Sequence, residues 1–326
     1  MESQQPKEIR WGIIGPGKIA HKFAQDLAKV PHCRLIAVAS RSQEKAEGFA
    51  KEYGANYVFN SYKSLVQHDE VDAVYVATPH SFHKEHSILC LQLGKAVLCE
   101  KPFAMNREEV EEMIAASKAN STLLMEALWT AFVPSFQYAL ELIQHEKYGK
   151  MTSLTADFGF FTPFNESSRV FDKKTGGGSL LDVGIYPIFA ALSFLGKPES
   201  IDAEATFFEN GTDSSCDMIF HYQNAKAFLQ SSLLEVTPVE AILRCEYATV
   251  KIESRFHEPT NITIEENGTS KTIEFDRPTF GYSYEIEHFN QLLRDGKKES
   301  DIMSFQLSRD LIKTLDDVRG LINLEY

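Results

Sequence analysis

The stretch at residues 11–20, Trp-Gly-Ile-Ile-Gly-Pro-Gly-Lys-Ile-Ala, constrains the fold more than any other part of this chain. An apolar strand runs into a glycine turn, and apolar side chains at Ile19, Phe23 and Leu27 then recur as they do in a helix. The G-x-G-x-x-G/A spacing lets the backbone turn tightly and approach a pyrophosphate, which the helix N-terminus attracts. We therefore predict dinucleotide binding here, with a merely structural strand-turn-helix as the alternative. The predicted cofactor contacts are Gly15, Gly17, Lys18, Ile19 and Ala20.

Length and charge limit the possible function classes. The chain has 326 residues and a hydrophobic content of 43%, enough for two globular domains with real cores. Its net charge of -13 disfavours sequence-independent binding to nucleic acid or to an anionic membrane surface. Residues 1–10 lack the apolar core of a signal peptide, and the longest near-apolar run, residues 186–196, is too short to span a bilayer, so we expect a cytoplasmic protein. The five cysteines form no C-x-x-C pair and are expected to be reduced and mostly buried.

The end of the second predicted strand, residues 35–40, bears on the choice of cofactor. An NAD site usually has a carboxylate there for the ribose hydroxyls, whereas this strand ends in Ser40 and Arg41. Arg41 can pair with a 2′-phosphate or stack on adenine, which favours NADP(H). The alternative is that Arg41 only begins the solvated helix predicted for residues 43–53.

Two further strands end in polar loops on the same predicted edge of the sheet. The strand at residues 71–77 leads to Thr78, Pro79, His80 and His83, which we predict to contact the cofactor. The histidines His80, His83 and His86 have no carboxylate or thiolate at ligand spacing, so we expect capping or cofactor contacts and no metal. The helix that follows should bury Ile88, Leu89 and Leu93.

The strand at residues 96–99 ends in Glu100-Lys101-Pro102. A lysine at the carboxyl end of a parallel strand projects into the crevice where ligands of such sheets bind, and it can hydrogen-bond a substrate oxygen. The alternative is a surface lysine paired with Glu100.

The second half of the chain changes to a period-two pattern. Strands are predicted at residues 153–160, 201–208, 217–222, 225–233, 241–247, 249–253, 262–266 and 271–275, which make a large, mostly antiparallel sheet. A helix is predicted at residues 179–195, with Asp182 and Tyr186 at positions i and i+4. These two side chains can reach one cleft, although an aspartate in a first turn is often a cap and a helical tyrosine is often part of the core.

The chain resembles the glucose-fructose oxidoreductase, inositol dehydrogenase and MocA family over nearly its whole length. The resemblance rests on the glycine turn, on Thr78-Pro79 with His83, and on Glu100-Lys101-Pro102, in this order and spacing. Residues 125–130 and 182–186 are similar to the dihydrodiol dehydrogenase and NADP-linked D-xylose dehydrogenase branch. The resemblance implies that Lys101 is the catalytic lysine beside the nicotinamide and that Tyr186, where many members carry histidine, is the acid/base partner.

The resemblance and the pattern together predict an α/β protein. An N-terminal Rossmann domain at residues 1–128 precedes an α+β domain at residues 129–326 that binds substrate and forms a homodimer through its open sheet face. We expect NADP-dependent hydride transfer to or from a sugar or cyclic diol, with NAD as a possible cofactor. Asp182 is then a candidate acceptor for a substrate hydroxyl, and Glu100 and Trp129 are further predicted cofactor contacts. A non-catalytic NADP-binding regulator and an NAD-dependent inositol or sugar dehydrogenase are the alternatives.

Overall fold

The computed structural model describes residues 6–326 and divides them into two compact units. The first unit contains the chain up to Trp129 together with Thr279–Arg309. The second contains Thr130–Pro278 and Asp310–Tyr326. The sequence analysis assigns all of residues 129–326 to one domain, so the placement of Thr279–Arg309 in the first unit corrects that assignment.

The first unit is built on a six-stranded sheet whose paired strands are all parallel. The strand order is β3-β2-β1-β4-β5-β6, the order of a Rossmann domain. Strands β2 and β3 are added on one side of β1 and strands β4 to β6 on the other, so the strand order reverses between β1 and β4. Ligands of such sheets bind beyond the carboxyl ends of the strands at this reversal. The strands are β1 (Ile9–Ile14), β2 (Cys33–Ala39), β3 (Tyr57–Phe59), β4 (Ala73–Val76), β5 (Ala96–Glu100) and β6 (Leu124–Ala127).

Helices accompany this sheet in the first unit: α1 (Lys18–Leu27), α2 (Gln43–Tyr53), α3 (Tyr62–Val66), α4 (His83–Gln92), α5 (Arg107–Ala119) and α8 (Tyr282–Arg294). The predicted buried side of α4 is wrong. Ile88 and Leu89 are only half-buried and Leu93 is 42% exposed, whereas His83, His86 and Ser87 are buried with Cys90 and Leu91. The apolar pattern misleads here because the two histidines find hydrogen-bond partners inside the unit.

The buried carboxylate of Asp26 in α1 explains why α8 belongs to the first unit. It accepts hydrogen bonds from the backbone N–H groups of residues 280–283, at distances of 2.9–3.3 Å, where α8 begins. Trp11 of β1 adds a second link, because its indole N–H donates to Asn290 at 3.0 Å. A carboxylate at a helix N-terminus satisfies donors that the helix itself leaves open.

The second unit contains an eight-stranded sheet in the order β14-β13-β12-β11-β7-β10-β9-β8. All neighbouring pairs are antiparallel except β7 and β10, which agrees with the mostly antiparallel sheet predicted from the alternating pattern. The strands are β7 (Met151–Gly159), β8 (Ser200–Phe207), β9 (Asp213–His221), β10 (Lys226–Ser232), β11 (Ala241–Cys245), β12 (Ala248–Ile252), β13 (Ile262–Glu266) and β14 (Thr269–Ile273).

The helices α6 (Pro134–Gln144) and α7 (Ile185–Leu195) pack on one face of this sheet, and α9 (Phe305–Leu321) begins in the first unit and ends in the second. The opposite face carries a cross-strand row of Ile242, Thr155, Phe228, Ile219 and Asp202. Phe228 is 43% exposed in this row.

The helical stretch Lys173–Leu195 is longer than the apolar run considered in the sequence analysis. By length and composition alone, its 23 residues suffice to cross a membrane. Within the structure, 83% of its most apolar window is buried, which is the pattern of a helix in the core of a globular unit.

Candidate active site

The glycine turn after β1 is shaped to receive an anion. Gly15 has φ +84, and a Cβ there would lie 2.8 Å from the Ala77 carbonyl oxygen, so only glycine fits without strain. A Cβ on Gly17 would meet nothing closer than 4.0 Å, which leaves open space beside the turn. Helix α1 begins at Lys18 with no side-chain cap and no acidic residue in its first turn. Its backbone N–H groups therefore suit a pyrophosphate.

Arg41 lies at the end of β2 among aromatic side chains. Its guanidinium is 6.0 Å from the centre of the Phe82 ring, and it hydrogen-bonds Tyr62. Burial raises the pKa of the Tyr62 phenol, and the charge and hydrogen bond of Arg41 oppose that rise. Next to it, Ser40 accepts a hydrogen bond from the Ser42 N–H at 3.2 Å. The sequence analysis missed Tyr62 and Phe82 because they follow other strands, and only the sheet order places them near Arg41.

The loop after β4 is held by histidines. His83 is fully buried, and its two ring nitrogens lie 2.8 Å from the carbonyl oxygens of Thr78 and Pro102. Since carbonyl oxygens only accept hydrogen bonds, a ring nitrogen of His83 that carries a proton donates to the carbonyl oxygen it faces. His86 contacts the Thr78 hydroxyl at 3.0 Å, and His80 is buried as well. His83 thus connects the loop after β4 to the turn after β5. These two contacts account for the position of its ring without the cofactor contact that the sequence analysis predicts.

The turn after β5 carries the predicted catalytic lysine. The buried carboxylate of Glu100 accepts hydrogen bonds from the Tyr75 hydroxyl and, at 3.2 Å, from the backbone N–H of Lys101. The carboxylate is therefore directed into the unit and fixes the backbone from which the half-buried Lys101 projects. Near the end of the first unit, Trp129 is buried and stacks on Tyr282, with ring centres 4.3 Å apart.

A second buried carboxylate, Glu126 of β6, supports the same turn. Its Oε1 accepts a hydrogen bond from the Phe103 N–H at 3.1 Å, while its Oε2 is buried without a hydrogen-bond partner among the described residues. Burial raises the pKa of Glu126 to about 7, and Glu100 adds to the rise, whereas bonds from Ser308 and Phe103 and the charge of Lys101 oppose it. Glu126 was not among the predicted site residues.

We expect Glu126→Gln to be more stable than the parent protein at pH 8 but not at pH 5. The ordinary pKa of this carboxyl is 4.5 and rises to about 7 on folding, so its burial cost appears as the pH rises through this window. The amide oxygen of glutamine can still accept from Phe103, and the gain at pH 8 should reach about 3 kcal/mol at most. Denaturant unfolding of both proteins at pH 5 and pH 8 measures this difference in the free energy of unfolding.

Glu111→Gln is the control of opposite sign, because an ion pair with Arg309 lowers the pKa of Glu111. We expect Glu111→Gln to be less stable than the parent protein at pH 8. An equal effect of Glu126→Gln at pH 5 and pH 8 would contradict the expectation.

In the second unit, Asp182 lies in a wide, π-helical turn (Leu180–Gly184) that leads directly into α7. Its side chain is 14% exposed and accepts a hydrogen bond from Arg169 at 3.0 Å. The sequence analysis did not predict this ion pair. Two residues 13 positions apart share no local pattern that would reveal it.

Tyr186, in the first turn of α7, lies in an aromatic cluster of the second unit. It is 5% exposed, and its ring centre is 5.4 Å from Phe158 and 5.0 Å from His257. The rings of Phe158 and His257 are 4.3 Å apart. The carbonyl of His257 accepts a hydrogen bond from the buried Thr130 at 2.9 Å. The sequence analysis missed His257, which stands alone in an irregular loop after β12.

Comparisons with known proteins agree with this architecture. A family model described as an oxidoreductase family with an NAD-binding Rossmann fold matches residues 9–128, and a GFO/IDH/MocA C-terminal domain model matches residues 136–252. Trans-1,2-dihydrobenzene-1,2-diol dehydrogenase of Xenopus tropicalis is 34% identical and covers 97% of this chain and 99% of its own. The scyllo-inositol 2-dehydrogenase (NADP(+)) IolU of Bacillus subtilis is 33% identical over 98% of both chains. The structure of KijD10, a 3-ketoreductase from Actinomadura kijaniata in complex with NADP and TDP-benzene, has a TM-score of 0.86 at 25% identity, over 97% of this chain and 98% of that chain.

Proposed function

Because this chain belongs to the GFO/IDH/MocA family of oxidoreductases and is a dehydrogenase acting on CH-OH groups, we propose that it transfers a hydride between NADP(H) and a sugar or cyclic diol. The reacting carbon carries a hydroxyl group in one direction and a carbonyl group in the other. Relatives named for a dihydrodiol and for scyllo-inositol support this substrate class, since both names denote cyclic compounds with neighbouring hydroxyls.

The residues of the glycine turn fit a nicotinamide dinucleotide. Open space beside Gly17 and the uncapped start of α1 suit the pyrophosphate. When bound, the nicotinamide supplies the hydride acceptor or donor. The chain itself has to bind the substrate, orient it and move one proton.

Three side chains are proposed for these tasks. Lys101 binds the substrate oxygen that gains or loses the proton, from a turn that Glu100 fixes. Tyr186 carries the proton as acid or base, and Asp182 accepts a hydrogen bond from a neighbouring hydroxyl of the substrate. The ion pair with Arg169 supports this last role, because it orients the Asp182 carboxylate.

The position of Arg41 is the main support for NADP over NAD as the cofactor. It is a cation between Tyr62 and Phe82 at the end of β2, where the chain has no carboxylate for the ribose hydroxyls of NAD. We expect Arg41→Ala to weaken NADP binding by about 10-fold or more and to change NAD binding little, since only the 2′-phosphate needs this cation. Fluorescence titration of both cofactors measures the ratio. An equal loss for both would contradict the choice of NADP.

A turnover screen tests the proposed activity. Aldoses, inositols and cyclic trans-diols are offered with NADP and, in parallel, with NAD. Turnover with at least one polyhydroxylated compound, and preference for NADP, are expected. Binding of NADP without turnover of any compound would instead support a non-catalytic NADP-binding regulator, and preference for NAD would support an NAD-dependent inositol or sugar dehydrogenase.

We further expect a homodimer through the open face of the eight-stranded sheet. The row that contains Phe228 and Ile219 ends in the exposed Asp202, and the exposed carboxylates of Glu204 and Asp217 form a pair in the next row of the same face. Exposing a large apolar side chain in the middle of a sheet is costly, and a second copy would cover it. Light scattering at micromolar concentration should give twice the chain mass of 36.8 kDa.

Two controls sharpen this measurement. Phe228→Asp should yield the monomer, and added salt should strengthen the parent dimer because it screens repulsion between the facing carboxylates. A monomeric mass for the parent protein would refute the dimer.

A further inference from the structure

The aromatic cluster around Tyr186 contains one group that can carry a positive charge. Phe158, Tyr186 and His257 contact one another within the second unit, and Tyr186 and His257 are each 5% exposed. A phenol is a poor base near neutral pH, with an ordinary pKa of about 10, and becomes a better one beside a cation. The question is therefore whether His257 is charged.

The position of the Glu258 carboxylate favours a protonated His257. Its Oε1 lies 3.6 Å from Nε2 of His257, and its carboxylate also pairs with Arg255. Burial acts to raise the pKa of Glu258, but the hydrogen bonds and charges of His257 and Arg255 outweigh it and hold the pKa at about 2. Glu258 is therefore ionised at every working pH, and a carboxylate at this distance favours the protonated ring of His257.

The other charged groups near this cluster are already engaged. Asp182, one turn before Tyr186, is paired with Arg169. Asp157 of β7, next to Phe158, accepts hydrogen bonds from the backbone N–H groups of Val239 and Glu240. Among the described residues in ring contact with Tyr186, His257 is thus the one whose side chain can carry a positive charge.

We infer that His257, kept protonated by Glu258, is a positioning residue that stabilises the phenolate of Tyr186 and so sets the pH at which Tyr186 accepts the substrate proton. This inference rests on the proposed function, which makes Tyr186 the base in alcohol oxidation. In that step the hydroxyl proton passes to the phenolate oxygen of Tyr186, and bound NADP would accept the hydride from the carbon that bears the hydroxyl. His257 exchanges no proton; it supplies a positive charge beside the ring of Tyr186, whose centre lies 5.0 Å from its own.

The test compares His257→Gln and Glu258→Gln with the parent enzyme. Two readouts are used: the pH dependence of kcat for oxidation, and the ionisation of Tyr186 followed by NMR of protein with labelled tyrosine rings. The Tyr186 signal is assigned by its loss in Tyr186→Phe. In both variants we expect the ionisation of Tyr186 and the rising limb of the kcat profile to move up by about one pH unit or more, the usual effect of losing a nearby opposite charge.

His288→Gln is the matched control, because Nε2 of His288 lies 3.7 Å from an Asp301 carboxylate oxygen in the first unit. It should shift neither readout. NADP affinity should stay within a few-fold in all three variants. Glu258→Gln removes the negative charge beside His257 and keeps the rings of Phe158, Tyr186 and His257. It therefore tests the inference even if His257→Gln does not fold.

The outcomes separate the inference from the proposed function. An unchanged Tyr186 titration in both folded variants overturns the inference, whatever the turnover. If Tyr186→Phe keeps its turnover, the tyrosine is not the base and that part of the proposed function fails, while the NMR titration still reports whether His257 controls the phenol. A shift in both readouts supports both.

Discussion

Lys101→Met is expected to abolish turnover, with a loss in kcat of about 10³-fold or more, while NADP affinity stays within a few-fold. The lysine is proposed to act on the substrate oxygen, whereas the phosphates bind at the glycine turn after β1, which the substitution leaves untouched. Methionine keeps most of the length of the side chain, so the turn fixed by Glu100 should persist. Steady-state kinetics and cofactor titration on the same preparation measure the two quantities.

Lys51→Met is the control for this experiment. Lys51 is an exposed lysine at the end of α2, and its replacement should change neither kcat nor NADP affinity. Near-normal turnover in Lys101→Met would remove the lysine from the mechanism. A loss of NADP binding as large as the loss of turnover would assign it to the cofactor site instead.

Tyr186→Phe should lower kcat by about 10²-fold or more and remove one limb of the pH profile. In oxidation the phenolate is the active base, so activity should rise with pH as the phenol ionises, and phenylalanine has no group that ionises there. The ring remains, so the contacts to Phe158 and His257 and the fold should be kept. The measurement is kcat and KM for oxidation across the pH range.

Tyr138→Phe, in α6, is the matched control and should leave the profile unchanged. If Tyr186→Phe raises KM and leaves kcat near normal, the hydroxyl binds substrate, and Lys101 or a water molecule carries the proton.

Local signals account for the parts of the fold that could be predicted. Helix α2 begins and ends at the predicted residues, Gln43–Tyr53, because Ser42 caps its start and Gly54, in the left-handed conformation, ends it. The alternating pattern of strand β7 is likewise specified by neighbours in sequence.

Long-range contacts account for what could not be predicted. The burial of His83 depends on carbonyl groups of two loops, and the site of Tyr186 depends on His257, 71 positions away. No periodicity encodes such pairings, because each is decided by where the sheet order brings two distant loops. The same holds for Arg41, whose aromatic neighbours Tyr62 and Phe82 follow two other strands.

The hydrogen bonds from Asp26 to residues 280–283 have a consequence for how this protein is made. The two ends of this contact are more than 250 positions apart in the chain, and residues 130–278 of the second unit, with all of its strands, are synthesised between them. On the ribosome, β1 to β6 therefore emerge long before α8 arrives to satisfy the buried carboxylate. The second unit can therefore form its sheet before α8 has been synthesised and has packed into the first unit. A fragment that stops at residue 128 would leave Asp26 without these partners, so the Rossmann unit is best expressed with its returning segment, Thr279–Arg309.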